Sequence, residues 1–381
     1  MLQVFASPSR YAQGPGATES LGAEMRGLGL REPVLILAGA SARRRLEASW
    51  ARSCAAAGYR YDVIAFGGQC CRREIDAGIA LASASGARTI VGAGGGKAID
   101  TGRSIAAALG LDFVSCPTIA STDAPTSAVS IIYSEEGTVV EIQTHPRNPA
   151  LVLVDTAVIL AAPARFLVAG MGDALSTWFE ARACSRSGAA NCRGGTMTRS
   201  GLALAELCWD TLRADGAAAV AAQAAGTATP AFERIVEANT LLSGLGFESV
   251  GLAAAHAVHN GFSVAAECHG ALHGEKVAFG TLTQLVLEQS GEAEIDAVLD
   301  FCVSVGLPVT LEQIGLGDVD DLLLRRIAAR AVQPDESTHH EPFPVTAGMV
   351  ERAILAADAA GRDYRAQTSV SPPGNPASPR R

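Results

Sequence analysis

The sequence predicts an α/β domain with a parallel sheet covered by helices, followed by an all-helical domain, the two meeting near residue 160. Three observations carry this expectation. Up to about residue 155, short apolar runs bounded by glycine or proline alternate with helix-length segments, as in successive β-α-β units. From Pro163 onward strand signals nearly vanish, and Ala/Leu-rich stretches of helical period take over. The chain has 381 residues, 48% of them hydrophobic and 18% charged, which is long for one ordinary domain and comfortable for two. The expected units are residues 1–160, residues 161–366 and a Pro/Ser-rich tail at 367–381 that is expected to be disordered.

Each element has its own signal. Residues 34–37 (VLIL) are an apolar run of buried-strand type, and 41–57 has helical length. Residues 61–66 form the next strand, stopped by Gly67-Gly68, and 72–85 the next helix. Residues 89–91 are a strand that runs into a glycine-rich loop; 98–109 is a helix, and 113–115 a strand stopped by Pro117. Residues 129–142 differ: two β-rich runs flank Glu135-Glu136-Gly137, a hairpin signal. Residues 151–155 (LVLVD) close the α/β half, and helices follow at roughly 163–185, 199–213, 231–246, 250–266, 273–289, 292–304 and 321–332.

Composition narrows the function. Lys plus Arg total 30 against 39 Asp plus Glu, a net charge of −9, which argues against nucleic acid as the main partner. No apolar run is long enough to span a bilayer, and the opening MLQVFASPSR lacks the layout of a signal peptide. The nine cysteines are scattered without a CxxC pair, as expected of reduced thiols in a cytoplasmic protein.

Gly94-Gly95-Gly96-Lys97 lies between a strand and a helix. Adjacent glycines let backbone N–H groups approach a phosphate, and a helix N-terminus favours negative charge. The spacing is neither a dinucleotide fingerprint nor a Walker A loop, so by itself it also fits a tight strand-to-helix turn. Ligands of such sheets bind at the carboxyl ends of the strands, which favours an anionic ligand here. A second loop, 117–127, carries several hydroxyls and one carboxylate, Asp123, which also fits a helix cap.

In the helical half, Asp173, His256 and His273 are polar residues on apolar helices. Such residues cost free energy unless paired or coordinated, and one carboxylate with two imidazoles suits Zn²⁺. Taken singly, Asp173 also fits an N-cap, and each histidine a satisfied core residue. His259 and His269 are nearby and rank lower, either behind the ligands or solvated. His339-His340 falls in a late polar loop, on the surface or in a lid.

Five segments extend these observations: 92–106 (GAGGGKAIDTGRSIA), 117–137, 170–184 (GMGDALSTWFEARAC), 237–262 and 273–285 (HGEKVAFGTLTQL). Through them the sequence resembles the glycerol dehydrogenase family, within the superfamily of iron-containing alcohol dehydrogenases and dehydroquinate synthase-like proteins. The resemblance covers nearly the whole chain except the tail. It implies an N-terminal nucleotide-binding domain, a C-terminal helical domain and catalysis between them, the dehydroquinate synthase-like arrangement. It places zinc ligands on Asp173, His256 and His273 and a substrate-contacting aspartate on Asp123. The candidate cofactor-binding residues are Gly94, Gly95, Gly96, Lys97, Asp100, Thr118, Ser121, Ser127, Val129 and Tyr133. It also implies a homo-oligomer, often an octamer. Iron-dependent relatives carry a further histidine four residues after the aspartate; Thr177 stands there, which favours zinc.

One departure concerns the cofactor. The family usually has an acid after the first strand that binds the adenine-ribose hydroxyls of NAD; this chain has Gly39, then Ser41 and Arg43-Arg44-Arg45. Without the acid, and with arginines near, a 2′-phosphate is tolerated and NADP use is expected at least to rival NAD, unless the arginines lie on a solvated helix face. The expected activity is therefore zinc-dependent, NAD(P)-linked interconversion of glycerol or a related vicinal diol with its hydroxyketone. The alternatives are a dehydroquinate synthase-like or glycerol-1-phosphate dehydrogenase-like enzyme, both of which need phosphate-binding cations, and a nucleotide-binding protein without catalysis.

Overall fold

The computed structural model describes residues 1–135 and 137–370. Its elements run β1 (Tyr11–Gly14), α1 (Leu21–Gly27), β2 (Val34–Ala38), α2 (Ala40–Ala57), β3 (Tyr61–Ala65), α3 (Arg72–Ser85), β4 (Thr89–Gly94), α4 (Gly96–Leu109) and β5 (Asp112–Pro117). A hairpin, β6 (Val129–Tyr133) and β7 (Val139–Thr144), precedes β8 (Leu151–Asp155) and the short α5 (Thr156–Leu160). Helices complete the chain: α6 (Ala164–Ser187), α7 (Arg199–Ala224), α8 (Pro230–Glu237), α9 (Ser243–Val250), α10 (Ala254–Phe262), α11 (His273–Leu287), α12 (Glu292–Val305), α13 (Asp321–Ala331) and α14 (Ala347–Val370).

Among the described residues six strands form one parallel sheet in the order β1-β8-β5-β4-β2-β3. β2, β4 and β8 are buried along their whole length, as central strands covered on both faces must be. β3, at the edge, is only partly buried. One apolar core lies under α1 and α2, with Trp50, Met25 and Ile36 fully enclosed. A second lies under α3 and α4, around Ile90, Ile99 and Ile105. The largest core fills the helical half and also takes Val152 and Val154 of β8, so sheet and helices share a continuous interior. Among the described residues no single helix is long and apolar enough to cross a membrane.

Several differences from the sequence expectations have local causes. The strand β1 was not expected: YAQG is too short to signal itself and is recruited by parallel pairing with β8, Tyr11 opposite Val152. The helices α1 and α14 were likewise not expected. α7 continues past Gly216 to Ala224, because that glycine packs under Phe301 and Val305 rather than ending the helix. The expected helix at 250–266 shrinks to α10, since Gly251 adopts φ +130°, which breaks the chain away from α9. α8 and α9 are joined by a π-helical turn, Ala238–Leu242. Helix α14 extends to Val370, beyond the start of the expected tail, because the first helix-breaking proline of that stretch is Pro372; the rest of the tail, 371–381, and Glu136 of the hairpin turn lie outside the described residues. At the other end, Val4 N–H donates to Thr196 O at 3.1 Å, so the first residues pack on the helical half rather than on the sheet.

The hairpin is fastened to α4 by a buried charge cluster. Arg103, 2% exposed, pairs with Asp100 Oδ1 at 2.6 Å and donates to the carbonyls of Val129 and Ala124. Asp100 Oδ2 accepts from Ile131 N–H at 3.1 Å. Both oxygens of Asp100, expected among the cofactor-binding residues, are thus engaged within this clamp. Asp100→Ala leaves a buried guanidinium without its counter-charge and is expected to destabilise the fold by about 3–5 kcal/mol, read as a lower midpoint in urea denaturation.

Candidate active site

Two sites face each other across one loop. The first is the glycine loop. β4 ends at Gly94, Gly95 is extended (φ −82°, ψ −177°) as the N-cap of α4, and the helix begins at Gly96. A cleft of about 390 Å³ opens here, lined among others by Gly39, Ser41, Phe66, Phe166 and residues 94–97. Thr118 also lines it, and its N–H donates to Gly94 O at 2.9 Å. Lys97 Nζ sits 4.8 Å from the centre of the Tyr133 ring, and burial lowers its pKa. Of the expected cofactor residues, Gly94, Gly95, Gly96, Lys97 and Thr118 line the cleft, and Tyr133 is in contact with Lys97. Ser121 is half-buried further along the loop. Ser127 is buried, and Val129 has its carbonyl engaged by Arg103. Gly39 caps α2, and the residues lining the cleft include no acid. Arg43 is paired with Glu47 at 2.9 Å and Arg45 donates to Ala161 O at 3.4 Å, while Arg44 is exposed.

The second site is built on α6, α10 and α11. Asp173 stands in the interior of α6, as its tenth residue, so it is not an N-cap. It is 1% exposed. His256 is in the first turn of α10, and His273 is the first residue of α11. Asp173 Oδ1 lies 3.4 Å from His256 Nε2 and 3.1 Å from His273 Nε2. One donor atom from each residue lies within 4.8 Å of the others, an arrangement able to hold a metal ion.

What brings them together is close helix packing. A Cβ on Gly274 would sit 1.7 Å from Ala169 O, and one on Gly172 2.3 Å from Gly274 O. Only glycine lets α6 and α11 approach this far, and Asp173 and His273 are the neighbours of those two glycines.

Behind each imidazole is a partner that fixes its orientation. Glu180, fully buried two turns along α6 from Asp173, accepts from His256 Nδ1 at 2.7 Å and from the N–H groups of Ala253 and His256 at 2.9 Å. His273 Nδ1 is 3.1 Å from His259 Nε2, and His259 Nδ1 is 3.2 Å from Asn260 Oδ1. Both rings therefore turn Nε2 toward Asp173, the geometry of metal-ligating histidines. His269 is exposed, and His340 caps the Gly251–Ala253 turn through Leu252 O at 2.8 Å.

Electrostatics agree with a cation site. Burial works against a charged His256, but Glu180 and Asp173 outweigh it and raise its pKa well above the usual value. Burial and then the neighbouring His273 push His259 far down. Burial and the adjacent Asp173 raise Asp123, while burial of Asp173 is outweighed by His273 and His256, which hold it ionised. The space between Asp173 and Glu180 thus favours positive charge, which a divalent ion supplies. Donor types, convergence and outer partners all fit a bound metal.

The 117–127 loop joins the two sites. Asp123 N–H donates to Asp173 Oδ2 at 3.2 Å, and Asp123 Oδ2 accepts from Ser243 Oγ at 2.8 Å. Ser243 in turn meets Thr177 Oγ1 at 2.9 Å. Glu180 and Ser243 were missed in the sequence. A carboxylate seven residues after Asp173 on an apolar helix shares its face, which was a usable signal for Glu180. Ser243 carried none, because its role depends on the π-helical turn that precedes it.

Residues 8–156 match the family model described as iron-containing alcohol dehydrogenase. The chain is 48% identical over 373 residues to a glycerol dehydrogenase of Citrobacter freundii, covering 96% of this chain and 100% of that one. It is 47% identical over 365 residues to a glycolaldehyde reductase of Halobacterium salinarum, covering 96% and 100%. The crystal structure of a probable glycerol dehydrogenase from Sinorhizobium meliloti superposes with a TM-score of 0.90 at 44% identity, covering 95% of this chain and 100% of that one.

Removing the carboxylate behind His256 tests the outer layer of the site. Glu180→Ala is expected to weaken divalent-metal binding by about 10–100-fold in chelator competition. Glu180→Gln, which keeps an acceptor oxygen, is expected to lose less.

Proposed function

From the premise that this chain belongs to the iron-containing alcohol dehydrogenase family, among its glycerol dehydrogenases, we propose that it is a zinc-dependent enzyme that interconverts glycerol, or a related small vicinal diol, and its hydroxyketone with NAD or NADP. The observation that carries the reading is one loop touching both sites: Thr118 on the glycine loop and Asp123 on Asp173. A nucleotide bound along the first and a substrate held at the second would be within one loop's span of each other.

Asp173, His256 and His273 would hold the metal. When bound, the divalent ion supplies Lewis-acid polarisation of a substrate hydroxyl, and the pyridine nucleotide supplies the hydride acceptor. The glycine loop and the N-terminus of α4 would receive the pyrophosphate through backbone N–H groups. Asp123, held by Ser243, would orient a second substrate hydroxyl. Glu180 and His259 would keep the two imidazoles facing the ion. Phe66 and Phe166 would exclude water from the cleft walls.

Zinc is favoured by Thr177. Its hydroxyl is committed to Ser243, so three protein donors remain and leave an open position for substrate, as in catalytic zinc sites. NADP use is supported by Gly39 and the absence of an acid among the residues lining the cleft. Arg44 is the arginine of the 43–45 run with its side chain uncommitted among the described residues, since Arg43 is bound to Glu47 and Arg45 to Ala161 O. Reduction of a hydroxyaldehyde is the same chemistry in reverse and is supported by the similarity to a glycolaldehyde reductase. The proposal extends to a cytoplasmic homo-oligomer as the working form.

Two measurements test this reading. Chelation should abolish oxidation of glycerol and 1,2-propanediol, and zinc should restore it at one ion per chain; restoration by iron alone would reject the zinc assignment. His256→Ala and His273→Ala should each lose activity and metal together, and retained turnover in either would remove the site from the reaction.

For the nucleotide, kcat/KM with NADP should equal or exceed that with NAD, and Gly39→Asp should depress the NADP value by about tenfold or more through repulsion of the 2′-phosphate. A strong NAD preference in the unaltered enzyme would reject dual use.

A further inference from the structure

At the opposite edge of the sheet from the glycine loop lies a second cavity, of about 440 Å³, which the reaction above does not use. Three arginines line it, Arg26, Arg31 and Arg88, together with Tyr59, Leu30 and Glu32. It sits where β2, β3 and β4 begin, at Val34, Tyr61 and Thr89. The six residues of β4 place it roughly 20 Å from the cleft at Gly94.

Positive charge at this edge has a ready alternative explanation, because α1, α2 and α3 all end here and their last carbonyls attract cations. Several of those carbonyls already have backbone partners. Gly29 and Leu30 N–H cap α1, Gly58 and Tyr59 N–H cap α2, and Gly86 and Ala87 N–H cap α3, at 2.9–3.2 Å. None of the three guanidiniums makes a capping hydrogen bond among the described residues.

Nor are they neutralised by acids. Glu32, the carboxylate in the lining, is engaged by Arg60, through its N–H at 3.0 Å and its guanidinium at 3.5 Å. None of the side chains of Arg26, Arg31 and Arg88 forms an ion pair or hydrogen bond among the described residues. Three like charges around one cavity, in a chain of net charge −9, repel one another unless an anion joins them.

Their backbones are also held in place, unlike those of scattered surface arginines. Thr89 Oγ donates to Arg31 O at 2.8 Å, and Arg88 N–H donates to Pro33 O at 2.8 Å, which ties two of the three arginine stems side by side. Tyr59 OH donates to Leu30 O at 2.6 Å and fixes the cavity wall. Arg26 lies against Gly58, where a Cβ would come within 3.1 Å of Nη2.

We propose that this cavity is a second anion site that binds a pyrophosphate-type group, either free or carried on a nucleoside diphosphate. Planar guanidiniums match phosphate oxygens in bidentate fashion, and three of them suit a ligand with two phosphates better than a single carboxylate. The cavity is of the size that holds small molecules.

The test is calorimetric titration of inorganic pyrophosphate into protein already saturated with NAD, so that the glycine loop is occupied. One further equivalent should bind per chain, more weakly as salt is raised. Arg26→Ala and Arg88→Ala together should weaken it about tenfold or more, whereas Arg213→Ala, on the exposed face of α7, should not. All three arginines are exposed, so the variants should keep the thermal midpoint of the parent. ADP as a second titrant separates the sources: binding as tight as pyrophosphate or tighter identifies a nucleoside diphosphate, and weaker binding identifies the free anion. No binding to the unaltered protein, or undiminished binding to the double variant, overturns the proposal.

Discussion

The closest constraint in the molecule is the contact of α6 with α11 through backbone. Gly172 meets Gly274, and Gly274 meets Ala169 O, at distances where no side chain fits. A further glycine of α6, Gly170, lets Ala120 O of the 117–127 loop approach equally closely, within 1.9 Å of where a Cβ would be. Helix, helix and loop are thereby locked at one point. Asp173, His273 and Asp123 are positioned around that point, so the separation of these side chains is set by main-chain contact. Main chain cannot change rotamer, and such a contact defines distance more sharply than side-chain packing does.

Around this point the protein buries charge that an apolar interior would otherwise reject. Asp173, Glu180 and Glu248 are almost fully enclosed, and each accepts hydrogen bonds from backbone N–H groups or paired cations. Asp155 does the same at the end of β8, taking the N–H groups of Gly16, Thr18 and Ala157 at 2.9–3.2 Å. Glu248 ties Ala128, ahead of the hairpin, to α9 in the helical half. The contacts of Asp173 with Asp123 and of Glu248 with Ala128 cross between the α/β half and the helices, so polar groups tie the two halves together. Preorganisation of this kind keeps hydrogen-bonding groups aimed before any ligand arrives.

The parallel sheet gives the molecule two chemically different edges. At the carboxyl ends of the strands, backbone N–H groups, a helix N-terminus and a single lysine, Lys97, favour an anionic ligand. At the amino ends, arginine side chains supply the positive charge instead. The same strands, β2 and β4, run between the two edges, from Val34 to Ala38 and from Thr89 to Gly94.

The sequence by itself determined the class of the fold and the residues that converge as possible metal donors. Continuous apolar strands such as VLIL and LVLVD announce a sheet buried on both faces, and the switch to helical period after Pro163 announces the second half. Asp173, His256 and His273 stood out because a polar residue on an apolar helix needs a reason. What only the tertiary structure decided was everything that depends on pairing at long range. β1 exists because β8 offers it an edge, and α7 continues because Phe301 and Val305 cover Gly216. Asp100 is tied to the hairpin because Arg103 lies within 2.6 Å of it and Ile131 N–H donates to it. Glu180 supports His256 across 76 positions of sequence, and arginines from the α1–β2 and α3–β4 regions line one cavity. Local pattern reports what a residue can do with its neighbours in the chain; which partner it meets across the fold is set by packing, where distance in sequence carries no information.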